Sequence, residues 1–414
     1  MTAHLERARV LIQQRRIEDA QRELLIALAE NPDHGETLYL LAYCFNAKND
    51  TEEALKYIGK AIALQPDNDL NYYLFSRILF EADRLPEAQE KIDQAIHLNP
   101  FDADYFGVAS LIRLNRKEYQ AALDKANEGL KIDPENQTCL NSRSTALVKL
   151  NKKTEAFSTI QTALEKDPEN SYTHANYGWG LLEKGNHKKA LEHFRESLKL
   201  KPDNEYAQSG MVQALKAKYW IYRMFLKYAF WIGNMKGKLQ WVLIIGFYLG
   251  IRLLSTIAQQ SPELKKIILP VIILYSVFAI STWIISPLFN IMLLLNPYGR
   301  YALKQDERRA SYFTGTGLFV ALAGLILFLS TGNDLFLLIT GYGVTMMIPL
   351  ASMFHRSGKN KNALKIYAVI MGSIGLLALY MSFSSGELFN AFTTIYLISF
   401  IAYQWIANAL LSRS

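Results

Sequence analysis

Few residues in this 414-residue chain could do chemistry, and they are scattered. Cys44 and Cys139 have no Cys-x-x-Cys partner and cannot build a disulfide framework or a metal cluster. They fit a reducing cytosol, and both thiols are expected to be exposed on the cytoplasmic side. His187 and His193 share one hairpin, in a lysine-rich, solvated stretch without the three or four convergent ligands that a metal demands. No His-Glu-x-x-His, Gly-x-Ser-x-Gly or Gly-x-x-x-x-Gly-Lys-Ser/Thr occurs. The expectation is a non-enzyme with no catalytic, cofactor-binding or metal-ligating residues.

The formal charge of +7 is unevenly divided. Residues 1–215 hold 27 basic and 33 acidic side chains, whereas residues 216–414 hold 18 and 5. The positive charge therefore lies between hydrophobic stretches, where lipid headgroups rather than nucleic acid are the matching counter-charge. The first thirty residues are charged throughout and contain no apolar core of signal-peptide length, so no secretory signal is expected.

Position is what gives the remaining residues meaning. Pro32, Pro66, Pro100, Pro134, Pro168 and Pro202 follow one another at gaps of 34 residues. Aligned on them, one column reads Ala20, Ala54, Ala88, Ala122, Ala156 and Ala190, and a second reads Ala27, Ala61, Ala95, Gly129, Ala163 and Ser197. Between the two stand Leu24, Ile58, Ile92, Ala126, Ile160 and Phe194. Small residues at fixed places let two helices approach, and the larger one fills the gap between them, so each unit is a helical hairpin. The prolines are expected to end each second helix and to start the next first helix.

These columns resemble the tetratricopeptide repeat, whose pattern has period 34 with small residues at positions 8, 20 and 27 and proline at 32. Position 8 reads Ala8, Ala42, Ser76, Ser110, Ser144 and Gly178, so six repeats fit residues 1–204, with residues 205–217 as a capping helix. Position 4 departs from the usual Trp, with His4, Leu38, Tyr72, Phe106, Leu140 and His174. The resemblance implies an α-solenoid whose concave face is built from the first helices and binds protein. Its groove residues here are Tyr39, Tyr43, Tyr73, Arg77, Asn141, Thr145 and Trp179. The family's clamp for chaperone tails, with Lys and Asn followed by Lys and Arg, is missing. Tyr and Trp beside Arg suit an extended peptide with apolar or proline anchors.

Beyond the repeats, residues 218–238 are rich in Trp and Tyr. Lys216, Arg223 and Lys227 fall in one stripe at helical spacing. This segment reads as an interfacial helix contacting the membrane surface through Arg223, Lys227, Trp220 and Trp231. Residues 239–414 then offer six apolar stretches of spanning length, at 239–258, 267–286, 313–331, 335–354, 363–382 and 388–411. Fifteen basic residues fall on one side of these spans, against Lys265 and Lys266 on the other, which puts the repeats and both termini in the cytoplasm. The spans hold no acid and one well-buried base, Arg252, which argues against an ion-coupled pump. Asn290, Asn390, Gln404 and Asn408 are expected to bond between helices, Gly317 with Ala321 and Ala368 with Gly372 to let helices close up, and Gly341 and Gly343 to loosen the fourth span.

The fold class expected is all-α: a tetratricopeptide-repeat solenoid followed by a six-helix transmembrane bundle. The combination is similar to bacterial proteins of the cytoplasmic membrane that join such repeats to a helical bundle. The function expected is a scaffold that recruits a protein partner to the membrane, with no nucleic acid and no metal involved. The alternative is a lipid or small-molecule carrier formed by the bundle and regulated by the repeats.

Overall fold

The computed structural model describes residues 2–235, 237–260, 262–295, 302–354 and 362–411, and within them twenty α-helices. They divide into two units, one of residues 1–181 and 192–204, the other of residues 182–191 and 205–414.

Along residues 2–200, hairpins follow one another with constant lengths: α1 (Thr2–Gln13) and α2 (Ile17–Glu30), α3 (Gly35–Ala47) and α4 (Thr51–Leu64), α5 (Asp69–Glu81) and α6 (Leu85–Leu98), α7 (Ala103–Asn115) and α8 (Tyr119–Ile132), α9 (Gln137–Lys149) and α10 (Lys153–Lys166), α11 (Ser171–Glu183) and α12 (His187–Leu200). The column at position 20 is wholly buried in all six repeats, and the large residues between the small columns are sealed in with it. Ser76, Ser110 and Ser144 donate across their hairpins to the carbonyls of Ala88, Ala122 and Ala156 at 2.8, 2.7 and 3.0 Å. That bond satisfies a buried hydroxyl, so serine can stand in an otherwise small, apolar column.

Each hairpin turns through one left-handed residue, at Arg15, Asn49, Asp83, Lys117, Asn151 and Gly185, again every 34 residues. From the next residue an N–H reaches back to the helix, as from Asp50 to Phe45 at 2.9 Å, which is the closure of a Schellman turn. The prolines behave differently from expectation. Each second helix does end just before its proline, but the following helix starts three residues after it, as at Gly35 after Pro32. The residue that starts the helix is a side-chain cap: His34, Asn68, Asp102, Asn136 and Asn170 each accept an N–H from the first turn. Both thiols are buried, contrary to the exposure expected, because Cys44 sits in the first hydrophobic core and Cys139 fills the space above Gly129. Desolvation pushes Cys44 up to about 11 and Cys139 up to about 12.

The second unit contains α13 (Glu205–Lys216), α14 (Trp220–Gly233), α15 (Gly237–Gln260), α16 (Pro262–Leu294), α17 (Gln305–Thr331), α18 (Leu335–Ser352), α19 (Ala363–Ser385) and α20 (Ala391–Leu411). Helix α13, expected as a cap for the repeats, packs Val212 with Leu293 and Leu303. Helix α16 runs unbroken through Pro270 and Pro287. Among the described residues, three helices, α17, α18 and α19, are long and apolar enough to cross a membrane; shorter apolar runs are Ile245–Ile257, Ile284–Leu294 and Ala391–Ala407.

Helices α17 and α18 meet backbone to backbone. A Cβ on Gly343 would stand 2.4 Å from the Ala321 nitrogen and 2.7 Å from the Gly317 oxygen, and one on Gly324 would stand 2.6 Å from the Thr340 nitrogen. Gly343 is thus a contact point in a continuous helix rather than a loosening element. Tyrosines do most of the bonding assigned to amides from the sequence. Tyr342 donates to the Gly372 carbonyl at 3.1 Å and Tyr367 to the Ser399 carbonyl at 3.0 Å, while Tyr396 and Tyr403 pair with Thr345 and Ser352, each at 2.7 Å. Asn390 links α20 to Ser382 of α19 at 2.8 Å, whereas the buried Asn290 Oδ1 has no hydrogen-bond partner among the described residues. The side chain of Asn408 lies outside the described residues.

Candidate functional site

The first helices α3, α5, α7 and α9 lie side by side, so their outward residues form one continuous wall. On it, Tyr39, Tyr43, Tyr73 and Arg77 come together, all half-buried. The Arg77 guanidinium lies 5.8 Å from the centre of the Tyr73 ring. Its own carboxylate neighbour, Glu81, stands 3.7 Å away and accepts a 2.7 Å bond from Asn46, so Arg77 is only loosely held. Burial raises the Tyr39 pKa, Tyr73 and Tyr43 reinforce the rise, and Arg77 opposes it. Burial likewise raises Tyr73, opposed by Arg77 and reinforced by Asp104 and Asp102. At neutral pH these phenols are therefore neutral donors around one cation.

A further tyrosine belongs to this cluster. Tyr105 is fully buried, its ring 5.0 Å from Tyr73, and its hydroxyl donates to Asp69 Oδ2 at 2.7 Å. Asn99 holds the same oxygen at 2.9 Å. Tyr105 is a fixed back wall for the cluster. The available signal was Asp69 itself, an acid where the other repeats begin with Met1, Gly35, Ala103, Gln137 or Ser171.

The remaining groove residues lie elsewhere. Asn141 is buried between repeats, its Nδ2 donating to Thr173 Oγ1 and the Gln137 carbonyl, both at 2.9 Å, while Asn176 bonds its Oδ1 at 3.2 Å. Its amide is spent within the stack and is not presented to a ligand. Thr145 is half-buried and bonds back to the Asn141 carbonyl at 3.0 Å. Trp179 packs edge-on against Phe194 with ring centres 5.8 Å apart, three repeats beyond Tyr73. The structure thus collects four of the seven residues into one site. Arg9, on the first helix, is engaged by Glu36 and Glu6.

In the second unit, Trp220, Trp231 and Lys227 are exposed, but the basic stripe is not kept. Lys216 is 1% exposed at the end of α13, and its Nζ donates to Ser286 Oγ at 3.0 Å with the Tyr222 ring 5.5 Å away. Arg223 turns back to the Ala217 and Lys218 carbonyls, both at 3.1 Å, at the negative end of α13. The stripe fails because the helix ends at Lys216 and a new one starts at Trp220, so Lys216 does not share a helix with Arg223 and Lys227, and Arg223 turns back to the preceding carbonyls.

Tetratricopeptide-repeat family models match residues 5–69, 45–112 and 171–204. No curated protein matches the chain. Among solved structures, similarity extends to YrrB, described as a TPR protein with an unusual peptide-binding site, at 20% identity over 45% of this chain and 96% of that one, with a TM-score of 0.33. PilF of Pseudomonas aeruginosa is 18% identical over 50% of this chain and 95% of its own, with a TM-score of 0.42. MamA from Desulfovibrio magneticus RS-1 is 15% identical over 40% and 94%, with a TM-score of 0.37. The matched segments, together with hairpins of constant length whose small columns recur every 34 residues, make this chain a tetratricopeptide-repeat protein in its N-terminal part.

Proposed function

We propose that the chain is a membrane-embedded scaffold, a binding protein rather than an enzyme, whose repeats recruit a protein partner. The observation that carries the binding role is the cluster of Tyr39, Tyr43, Tyr73 and Arg77 against the fixed Tyr105, with a cation that no neighbouring carboxylate holds closely. Rigid rings give contact area at small entropic cost, and Arg77 adds a fork for a carboxylate or backbone carbonyl. The occupant is an extended segment with an apolar or aromatic anchor.

Support for the membrane comes from the outward faces of the C-terminal helices. In the apolar window of α17 only 22% of residues are buried within the protein, and Phe319 and Leu329 are each 73% exposed. Apolar surface on that scale needs a partner other than water. Under this reading the chain crosses a bacterial cytoplasmic membrane several times, up to six, with the repeats and both termini on the basic, cytoplasmic side.

The test is a cross-linking pull-down from native membranes, comparing the full chain with its Tyr39→Ala/Tyr73→Ala variant. A specific protein captured by the first and lost with the second supports recruitment; identical captures at equal stability remove it. A carrier role for the bundle remains the second reading, favoured by the number of C-terminal helices, which exceeds what anchoring requires. Binding of the same partner by residues 1–215 alone counts against it.

A further inference from the structure

Helix α14 contains no acidic residue and has two unlike faces. One is packed. Tyr222 and Leu226 are buried, Tyr219 and Tyr222 place their rings 5.5 and 5.0 Å from Phe289, and Tyr228 meets Phe278 edge-on at 5.0 Å, both partners being on α16. The opposite face is largely open: Trp220 is 63% exposed, Met224 62% and Trp231 52%, and Lys227 is exposed among them with its stem beside Gly185. At about 100° per residue these four lie within roughly 60° of one another. Lys218 is exposed just before the helix, while Arg223 is withdrawn to the end of α13.

We propose that this face lies in the headgroup layer of an anionic bilayer leaflet, with Trp220, Met224 and Trp231 below the phosphates and Lys218 and Lys227 among them. The proposal rests on the membrane reading given above and adds to it a lipid-contacting surface and its charge. Three other environments are disfavoured by what the helix carries. Water is a poor partner for two tryptophans and a methionine on one stripe. A second copy meeting face to face would set Lys227 against Lys227, with no acid on either helix to compensate. The hydrocarbon core is excluded by Lys227 and by length, since fourteen residues reach about 21 Å against the roughly 30 Å of that core. What fits is the boundary itself, where indole rings have one apolar and one wet side and each nearby lysine gains from anionic phosphate.

The experiment uses the full chain in vesicles of phosphatidylglycerol and phosphatidylcholine, spin-labelled at Met224→Cys. Separate samples carry the label at Phe319→Cys on α17 or at Phe101→Cys, which is 81% exposed in the repeat unit. Cys44 and Cys139 are replaced by Ala, with retention of helical content checked first. Accessibility to oxygen, which concentrates in lipid, is compared with accessibility to a water-soluble nickel chelate. The Met224 label is expected to favour oxygen, less strongly than the Phe319 label, and to lose that preference in phosphatidylcholine alone or with Lys218→Glu/Lys227→Glu. A Met224 label as open to nickel as the Phe101 label overturns the proposal while leaving the membrane reading intact. Exclusion from both reagents with spin–spin broadening replaces the lipid with a second copy. An aqueous Phe319 label defeats the membrane reading, and this proposal with it.

Discussion

The repeat unit and the C-terminal unit solve helix packing in opposite ways. In the repeats, the small residue at position 20 is fully buried six times, beside a buried Leu, Ile or Phe in five repeats and beside Ala126 in the fourth. Where one column changes, its partner compensates: Phe194 replaces the usual Ile or Leu where position 8 has shrunk to Gly178, and Cys139 fills the space over Gly129. Among the described residues of the C-terminal helices, recurrence is limited: the pairing of a tyrosine with a small hydroxyl is made twice, by Tyr396 with Thr345 and one heptad on by Tyr403 with Ser352, and the other contacts differ. Gly343 meets backbone, Gly375 meets the Tyr342 ring, and each tyrosine has its own hydroxyl or carbonyl partner. The repeats therefore absorb a local change by adjusting one side chain, whereas at Gly343 the neighbour is backbone and there is no side chain to adjust.

The sharpest way to break that contrast is Gly343→Ala. Its Cβ would meet the Ala321 nitrogen and Gly317 oxygen, and backbone cannot rotate away. A loss of about 3 kcal/mol is expected, read as a lower melting temperature of the full chain in detergent. An unchanged melt would show that α17 and α18 are more loosely joined than described.

Next in size is Lys216, where burial, partly offset by Glu307, lowers the pKa from 10.5 to about 8. Below pH 8 the folded and unfolded chains both hold the proton, and the buried charge is a full cost. Between about 8 and 10.5 only the unfolded chain keeps it, so stability rises with pH across that window. The full chain should gain about 2 kcal/mol from pH 7.5 to 9.5, and Lys216→Met should abolish most of that gain. The same slope in the variant would assign the effect to another group.

Smaller again is Gly178→Ala, which brings a Cβ to 2.7 Å from the Phe194 ring. About 1.5 kcal/mol should be lost by hydrogen exchange across α11 and α12, and Phe194→Ile should restore most of it. Simple additivity of the two substitutions would deny the column its compensating logic. Least of all is Lys117→Gly: a left-handed residue at φ +59 gains from losing its Cβ, and about 0.5 kcal/mol of stabilisation is expected in the exchange of α7 and α8.

The hairpins were legible in the sequence because the small columns encode the contact directly. The caps at Asn68, Asp102, Asn136 and Asn170 form an equally regular column, but the prolines two residues earlier drew the helix start to themselves. The binding face was half legible. Position 5 holds Tyr39 and Tyr73 on the wall and Asn141 inside the stack, because side-chain length and the neighbour in the next repeat decide which way it is spent. Six apolar stretches could be read by length, but their pairing could not, since it depends on which glycine and which tyrosine face each other across separate helices. The basic stripe failed on one unread feature, the break after Lys216.

The central claim, recruitment of a protein through the tyrosine and arginine face of the repeats, is tested most directly by a photoreactive residue in place of Tyr43 in the full chain within native membranes. The account predicts one dominant protein adduct, abolished when Tyr39→Ala and Tyr73→Ala are added and retained with Phe101→Ala, a change outside the face. Adducts that survive loss of the two tyrosines, or the absence of any protein adduct, would contradict it.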